Sequence, residues 1–230
     1  MTLDIIIPAL NEQENLKKLL PLLASHLYKE QIKVIVIDAA TSDDDTRQKC
    51  EQYGAQYIKS SHTQRGKQMN EGAISGTSDV LLFLHADVIP PNDFYIKIQT
   101  AIKNKYQMGL FSFKFDSSHW LLKINSYFTK IDGFFTGGGD QSHFMTRAIF
   151  QQMGGYNDDQ VIMEDFEFFH RIRRAKVSYT IIDSPFFVSA RKFENNSYLR
   201  MNLINFVTFL MYKSGVHSHT LKAFYCKWVD

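Results

Sequence analysis

Residues 3–38 run LDIIIPALNEQENLKKLLPLLASHLYKEQIKVIVID and set the pattern for the first half of the chain. The β-branched runs at residues 3–8 and 34–38 predict two short buried strands. Between them, leucines at residues 16–23 recur at helical spacing, and Pro21 either kinks that helix or splits it. The segment therefore predicts a strand–helix–strand unit.

The same alternation continues to residue 84. Residues 43–53 and 68–75 have helical patterns, whereas residues 57–58 and 80–84 predict further strands. Continuous apolar strands separated by helices indicate a parallel sheet that is covered on both faces. Because such crossovers are right-handed, the fold class is α/β with a Rossmann-like first half.

The pattern changes after Pro90-Pro91. The sequence predicts helices at residues 94–103, from residue 164 and at 199–212, and strands at 110–115, 179–183 and 186–190. With no repeat and no linker, we expect one domain over residues 1–230. Its parts would be residues 1–90, which bind the ligand, residues 91–195, which hold the second substrate and the catalytic groups, and a helical tail at 196–230.

Composition limits the function and the location. The chain has 230 residues, a formal charge of +2 and two cysteines, Cys50 and Cys226. So small a basic excess argues against nucleic-acid binding, and two distant cysteines favour a reducing compartment, the cytoplasm. The segment at residues 199–212 is too short and polar to span a membrane, and it either packs on the core or lies on a membrane surface.

Polar side chains follow three of the predicted strands. Asn11 and Glu12 follow the first strand, Asp38 ends the second, and Asp87 follows the fourth. Ligands of open α/β sheets bind beyond the carboxyl ends of the strands, so these groups predict a site at one edge. Each alone has a structural alternative: Asn11 caps a helix, and an aspartate at a strand end forms a turn. The triple carboxylate at residues 43–45 favours a solvated helix start over a metal cluster.

Two further segments carry chemistry. Residues 64–70, QRGKQMN, open a helix and contain Arg65 and Lys67. The sequence lacks the glycine-rich phosphate-binding motifs, so this segment is the candidate diphosphate site; the alternative is a surface charge cluster. Glu164-Asp165 starts another helix, either as a favourable N-terminal charge or as a general base. A helix start is expected to keep Asp165 ionised at neutral pH. Arg191 offers a cation to a departing phosphate.

The order of these segments resembles the family 2 glycosyltransferases, inverting enzymes of GT-A fold that use a nucleotide-activated sugar. The resemblance covers about residues 3–194 and is closest to a small, soluble bacterial branch. Its matching motifs are IIIPALNE, VIDAATSDDD, QRGKQMNEGA, LLFLHAD, GGGDQSHFMTRAIFQQMGGY and MEDFEFFHRIRR.

The resemblance implies a UDP- or GDP-sugar donor, a sugar or lipid-linked acceptor, and Mg²⁺ or Mn²⁺ bound by Asp87. It implies that Asp165 is the base that deprotonates the acceptor, with Glu164 beside it. The residues implied to bind the donor are Pro8, Asn11, Glu12, Asp38, Arg65, Gln68, Asn70, His85, Ala86 and Asp87. The residues placed near the donor sugar and acceptor are Gly139, Asp140, Gln141 and Arg191.

Two departures from the family pattern stand out. His85 occupies the first position of the D-x-D element, where the family has an acid, and Ala39-Ala40 replaces the usual glycine-serine turn. Two other functions remain open. A sugar nucleotidyltransferase would need a glycine-rich basic loop after the first strand, which residues 8–12 lack. A non-catalytic nucleotide-sugar-binding protein would not need the Glu164-Asp165 pair.

Overall fold

Alternating strands and helices build one mixed sheet with helices on both faces. The computed structural model describes residues 1–26, 28–117, 120–190 and 198–229. The strands are β1 Leu3–Ala9, β2 Ile32–Asp38, β3 Gln56–Lys59, β4 Val80–Phe83, β5 Val88–Ile89, β6 Met108–Phe115, β7 Phe144–Thr146 and β8 Tyr179–Val188. The helices are α1 Gln13–Ala24, α2 Thr46–Tyr53, α3 Arg65–Ser75, α4 Phe94–Lys103, α5 Trp120–Phe128, α6 Arg147–Gln152, α7 Glu164–Arg174, α8 Tyr198–Lys213 and α9 Ser218–Val229. Short 3-10 helices lie at Lys29–Gln31 and Gly139–Gln141.

The eight strands follow the order β3-β2-β1-β4-β7-β6-β8-β5. Strands β1 to β4 pair in parallel, as the sequence predicts for the first half. The short β7 runs antiparallel to both β4 and β6, and thereby joins the two halves into one sheet. Strand β8 is parallel to β6 and antiparallel to β5.

Two hydrophobic clusters cover the two faces of the sheet. Residues from α1, α2 and α4 pack on one face, and residues from α3, α6 and α7 pack on the other. Helix α1 continues through Pro21 without a break. A proline inside a helix costs about 3 kcal/mol, but α1 buries four leucines on the sheet at roughly 1.5–3 kcal/mol each.

Some elements differ from the prediction. Residues 179–190 were expected to form two strands around Ser184-Pro185, but β8 is continuous because a register shift against β6 at Phe111 and Phe113 accommodates the proline. The basic tail contains a second helix, α9, which packs on α8. Among the described residues, no helix combines the length and apolarity needed to cross a bilayer.

This topology positions the site. The carboxyl ends of β1 and β4 lie side by side, and the amino ends of α3 and α7 meet at the same edge. Side chains from segments far apart in sequence therefore converge there.

Candidate functional site

A cleft of about 440 Å³ opens at the carboxyl ends of β1 and β4. Nine of the residues predicted for the site line it: Pro8, Glu12, Arg65, Gln68, His85, Ala86, Asp87, Asp140 and Glu164. Its walls thus combine residues at the strand ends with the Arg65 guanidinium, the His85 imidazole and several carboxylates. A cleft of this size and polarity suits a charged small molecule.

The most buried charges at the cleft belong to the first turns of α3 and α7. The Arg65 guanidinium donates a short hydrogen bond to the Glu164 carboxylate, and its Nη2 lies 3.7 Å from Asp165 Oδ2. The Glu164 and Asp165 side chains are 3% and 6% exposed, whereas the Arg65 side chain is 45% exposed toward the cleft. One guanidinium therefore serves two buried carboxylates.

The two carboxylates respond differently to this shared partner. Burial alone would raise the pKa of Glu164, but the charge and hydrogen bond of Arg65 outweigh burial and lower it. Burial, followed by repulsion from Glu164, raises the pKa of Asp165 to about 7, and the more distant Arg65 offsets this only in part. The expectation that a helix start keeps Asp165 fully ionised is therefore wrong: the charge on Glu164 and the loss of water dominate the helix terminus.

His85, two residues beyond the end of β4, connects this pair to the glycine run. Its Nε2 lies 3.9 Å from Asp165 Oδ2, and its Nδ1 lies 3.8 Å from Asp140 Oδ1. Burial and the Arg65 charge lower the pKa of His85 to about 4, so the ring is neutral at pH 7. A β-carbon on Gly139 would collide with both His85 and Asp165, so only glycine fits between the imidazole and the carboxylate.

Asn11 and the triple carboxylate tie the strand ends together. Asn11 has a φ of 54°, and its Oδ1 accepts hydrogen bonds from the Ser42 hydroxyl (3.1 Å) and the Asp43 backbone N–H (3.0 Å). Asp44 accepts from the backbone N–H groups of Gln13 (2.8 Å) and Thr46 (3.1 Å). Residues 43–45 precede α2, which begins at Thr46, and Asp44 fixes the loops after β1 and β2.

Three predicted site amides bond to backbone. Gln68 Nε2 donates to the carbonyls of Ala9 (3.0 Å) and Ile37 (2.7 Å), which bridges β1 and β2. Asn70 exchanges two hydrogen bonds with the Tyr156 backbone, both of 2.9 Å, and so orients the loop before α7. Gln141 Nε2 donates to the Thr129 carbonyl at 3.0 Å, and its Oε1 accepts from Gly137 N–H at 2.8 Å, so it holds the glycine run in place.

Asp38 is not among the residues that line the cleft. Its Oδ2 accepts hydrogen bonds from the Tyr57 hydroxyl and from Lys59 Nζ, both at 3.0 Å, and the residue is 2% exposed. Arg191 lies outside the described residues.

The cleft also contains residues that the sequence did not suggest: Thr63, Val161, Ile162 and Lys222. Lys222 belongs to α9, so the C-terminal helix pair reaches the cleft from a distant part of the chain. The loop residues before α3 and α7 could have been found from their position directly ahead of predicted site motifs. Lys222 had no such signal.

The donor set of the cleft fits a hard divalent cation. Asp87 and Asp140 both line the cleft with carboxylate oxygens. Mg²⁺ in particular is held by one or two carboxylates when phosphate oxygens complete its shell. Among the described residues, no group of three or more His, Cys, Asp or Glu side chains is placed to hold a metal alone.

Solved structures share this fold at low sequence identity. S. aureus TarS 1-349 in complex with UDP-GlcNAc is 14% identical with a TM-score of 0.66, over 100% of this chain and 72% of that one. A longer S. aureus TarS structure is 12% identical with a TM-score of 0.67, over 100% of this chain and 43% of that one. The mannosyltransferase PcManGT from Pyrobaculum calidifontis, in complex with GDP-Man and Mn²⁺, is 13% identical with a TM-score of 0.68, over 91% of this chain and 61% of that one.

The curated proteins include no match to this chain. The family model described as glycosyl transferase family 2 matches residues 4–178, which contain β1 from its second residue, the strands from β2 to β7, and the buried carboxylate pair. The solved relatives are GT-A glycosyltransferases, in agreement with the mostly parallel sheet and the site at its carboxyl edge. The chain therefore belongs to glycosyl transferase family 2 and has the GT-A fold.

Proposed function

We propose that this protein is an inverting, metal-dependent glycosyltransferase that moves a sugar from a UDP- or GDP-sugar to a hydroxyl acceptor. The observation that carries the proposal is Asp165. It is a buried carboxylate with a pKa raised to about 7, and it lies behind the cleft beside His85 and Gly139. A base with a pKa near the working pH is suited to take a proton and to be regenerated.

The cleft supplies the groups that a nucleotide-sugar requires. Gln68 fixes the ends of β1 and β2, so that Pro8 and Ala9 form one wall. Arg65 and Lys222 line the same space and offer charged N–H donors to a diphosphate, whose remaining charge a bound divalent cation would neutralise. Relatives of this fold are solved with UDP, with UDP-GlcNAc and with GDP-Man, which supports a nucleotide-sugar donor of either base.

The residues that would hold Mg²⁺ or Mn²⁺ are Asp87 and, across the cleft, Asp140. When bound, such an ion neutralises the negative charge that grows on the leaving diphosphate. Mn²⁺ is present in the solved mannosyltransferase relative, which supports this assignment. Arg65 adds a fixed positive charge from the protein itself.

The reaction is a single displacement. Asp165 Oδ2 takes the proton of the acceptor hydroxyl, whose oxygen forms a bond to the anomeric carbon as the bond from that carbon to the diphosphate oxygen breaks. The nucleoside diphosphate leaves with the electron pair of the broken bond, and the configuration at the anomeric carbon inverts. Glu164 remains ionised against Arg65, and it thereby raises the proton affinity of Asp165.

The acceptor would be a sugar or a lipid-linked hydroxyl compound. We place the protein in the cytoplasm, since Cys50 and Cys226 are both free thiols.

The decisive experiment compares Asp165→Asn with the wild type. Loss of the base should lower the release of nucleoside diphosphate, measured across UDP- and GDP-sugars with an acceptor panel, by about 10²–10⁴-fold. Thermal stabilisation by nucleotide and Mn²⁺ should persist, because Asn keeps the shape of the side chain. Asp159→Asn, at an exposed aspartate that is not among the residues lining the cleft, is the matched control, and it should retain activity. Normal turnover by Asp165→Asn would overturn the assignment.

A second variant tests the metal. Asp87→Ala should abolish the extra thermal stabilisation that Mn²⁺ gives to UDP or GDP, while stabilisation by the nucleotide alone should change less. Removal of the ion with EDTA should have the same effect on the wild type. Unchanged Mn²⁺ dependence would show that Asp87 does not hold the ion. Release of pyrophosphate instead of nucleoside diphosphate would indicate a nucleotidyltransferase, and binding without any transfer would indicate a binding protein.

A further inference from the structure

Helix α8 is apolar on two opposite faces. Its inner face buries Met201, Ile204, Thr208 and Phe209. Its outer face carries Leu199, Leu203, Phe206 and Leu210, which are 72%, 63%, 44% and 42% exposed. These four positions follow the spacing of a single helical stripe. A surface helix of a globular protein normally has one apolar stripe, which faces the core, so the second, outer stripe of α8 needs a partner.

The stripe is part of a larger surface. Exposed aromatic residues extend it over α5, the loop after α5, and α9: Trp120, Tyr127, Phe128, Phe134, Phe135 and Trp228. We call these residues, together with the outer stripe of α8, the aromatic surface. Two contacts join its parts to α8: the rings of Phe135 and Phe206 lie 6.2 Å apart, and Asn125 of α5 bonds to Asn202 of α8 at 3.0 Å. Contiguous apolar surface of this kind marks an interaction site.

Charge identifies the kind of partner. Helices α5, α8 and α9 contain no acidic residue within their bounds. Their cations are Lys123, Arg200, Lys213, Lys222 and Lys227. Lys213 Nζ lies 5.5–6.0 Å from the ring centres of Phe134, Phe209 and Tyr212, so its stem covers apolar surface while its charge stays at the rim.

Tryptophan, tyrosine and lysine around an apolar stripe are the residues that anchor proteins at a membrane interface. A second copy of this chain would oppose like charges across a two-fold interface, which disfavours it as the occupant. We propose that the aromatic surface docks on the face of an anionic lipid bilayer, with the α8 stripe at the level of the headgroups.

Docking would place the cleft next to the lipid. Phe166, which follows Asp165, packs against Phe209 of α8 with ring centres 5.1 Å apart, and Lys222 of α9 lines the cleft. The acceptor would therefore be held in the membrane and presented to Asp165 from that side; this step rests on the proposed function.

The test is sedimentation of the whole protein with vesicles. The wild type should bind vesicles of phosphatidylcholine with about one third phosphatidylglycerol, bind phosphatidylcholine alone far less, and dissociate as salt is raised. Leu203→Gln combined with Phe206→Gln should weaken binding at least about ten-fold, because two apolar contacts are lost. The matched control is Ile74→Gln on α3, which is 82% exposed but lies outside the aromatic surface.

The charges are tested in the same assay. Lys123→Gln with Lys227→Gln should weaken binding to the anionic vesicles about 25-fold, because each lysine near such a surface is worth about five-fold. The exposed pair Lys18 and Lys103, changed to glutamine in the same way, should have no effect.

Two results would overturn the inference. One is a wild type that does not bind the anionic vesicles. The other is a dimer in light scattering that the stripe variant abolishes, which would make a second copy the occupant. Stabilisation of the stripe variant by Mn²⁺ with UDP or GDP shows that it is folded, and it separates failure of docking from failure of the proposed function.

Discussion

Two buried charge clusters lie at opposite edges of the sheet and are balanced differently. At the amino edge, both oxygens of Asp4 are bonded: they accept from Ser78 N–H (3.0 Å), the Ser78 hydroxyl (2.7 Å) and Arg147 Nη2 (2.6 Å). Arg147 also donates to the Ser78 and Ala73 carbonyls. One carboxylate is therefore paired with one guanidinium, and the remaining hydrogen-bonding positions of both are taken by Ser78 and by backbone carbonyls.

At the carboxyl edge, the charges do not balance. Arg65 is shared by Glu164 and Asp165, and Asp140 adds a further negative charge that raises the pKa of Asp165. Both clusters are buried and both contain an Arg–carboxylate pair, but here two carboxylates share one guanidinium, and the Asp165 carboxyl group is poised between its two protonation states near pH 7. The comparison shows that the unbalanced group, rather than burial of charge as such, identifies the candidate site.

The amino-edge cluster should show the largest effect on stability. Arg147→Met removes the partner of Asp4, which is 0% exposed, and leaves a buried charge uncompensated. The free energy of unfolding should fall by roughly 3–5 kcal/mol. Denaturant unfolding measures this, with the exposed Arg174→Met on α7 as control. Equal, small losses in both variants would show that the pair does not hold this edge.

The carboxyl-edge cluster should respond in the opposite sense. The pKa of Asp165 is raised from 3.8 to about 7, so the folded protein keeps a proton that the unfolded chain has released in that interval. Stability from this group therefore falls as pH rises from about 4 to about 7. Asp165→Asn lacks this titrating group. The free energy of unfolding of the variant, relative to that of the wild type, should therefore rise across that window by at most roughly 1.4 kcal/mol per pH unit.

Denaturant unfolding of Asp165→Asn and wild type at several pH values measures this difference. Burial lowers the pKa of both His85 and His143, and both rings are present in each protein. Because His85 Nε2 lies 3.9 Å from Asp165 Oδ2, the comparison reports Asp165 together with its interaction with this ring. A variant less stable than the wild type at about pH 8 would contradict an unbalanced cluster.

The sequence predicted the sheet of the first half because hydrophobic periodicity is a local property. It missed β7 and β5, which have three and two residues. Such short strands form only because neighbouring strands offer hydrogen-bond partners, and a local sequence pattern does not indicate which strands will be neighbours.

The chemistry of the site was predictable in part. Strand-end position brought His85, Asp87 and Glu12 to one cleft, as expected. The pairing of Arg65 with Glu164 joins residues 99 apart in sequence, and the pKa of Asp165 depends on that contact and on burial. Polar residues at strand ends serve ligands and loops equally well, which is why only the fold showed that Asn11 bonds to the Ser42 loop.

The smallest effect on the free energy of unfolding is expected for an exposed ion pair. This pair distinguishes the contribution of ion pairing from that of burial. Arg47 and Glu51 on α2 lie 2.9 Å apart, with side chains 73% and 62% exposed. Glu51→Gln should change the free energy of unfolding by less than about 0.5 kcal/mol, because water screens the pair on both sides. In about 1 M salt, where the screening length is roughly 3 Å, that difference should vanish, whereas the loss caused by Arg147→Met should persist because no ions reach Asp4. A loss of unfolding free energy in Glu51→Gln that persists in high salt would mean that ion pairing stabilises this fold even without burial. The two buried clusters would then differ only in the number of carboxylates that share one guanidinium.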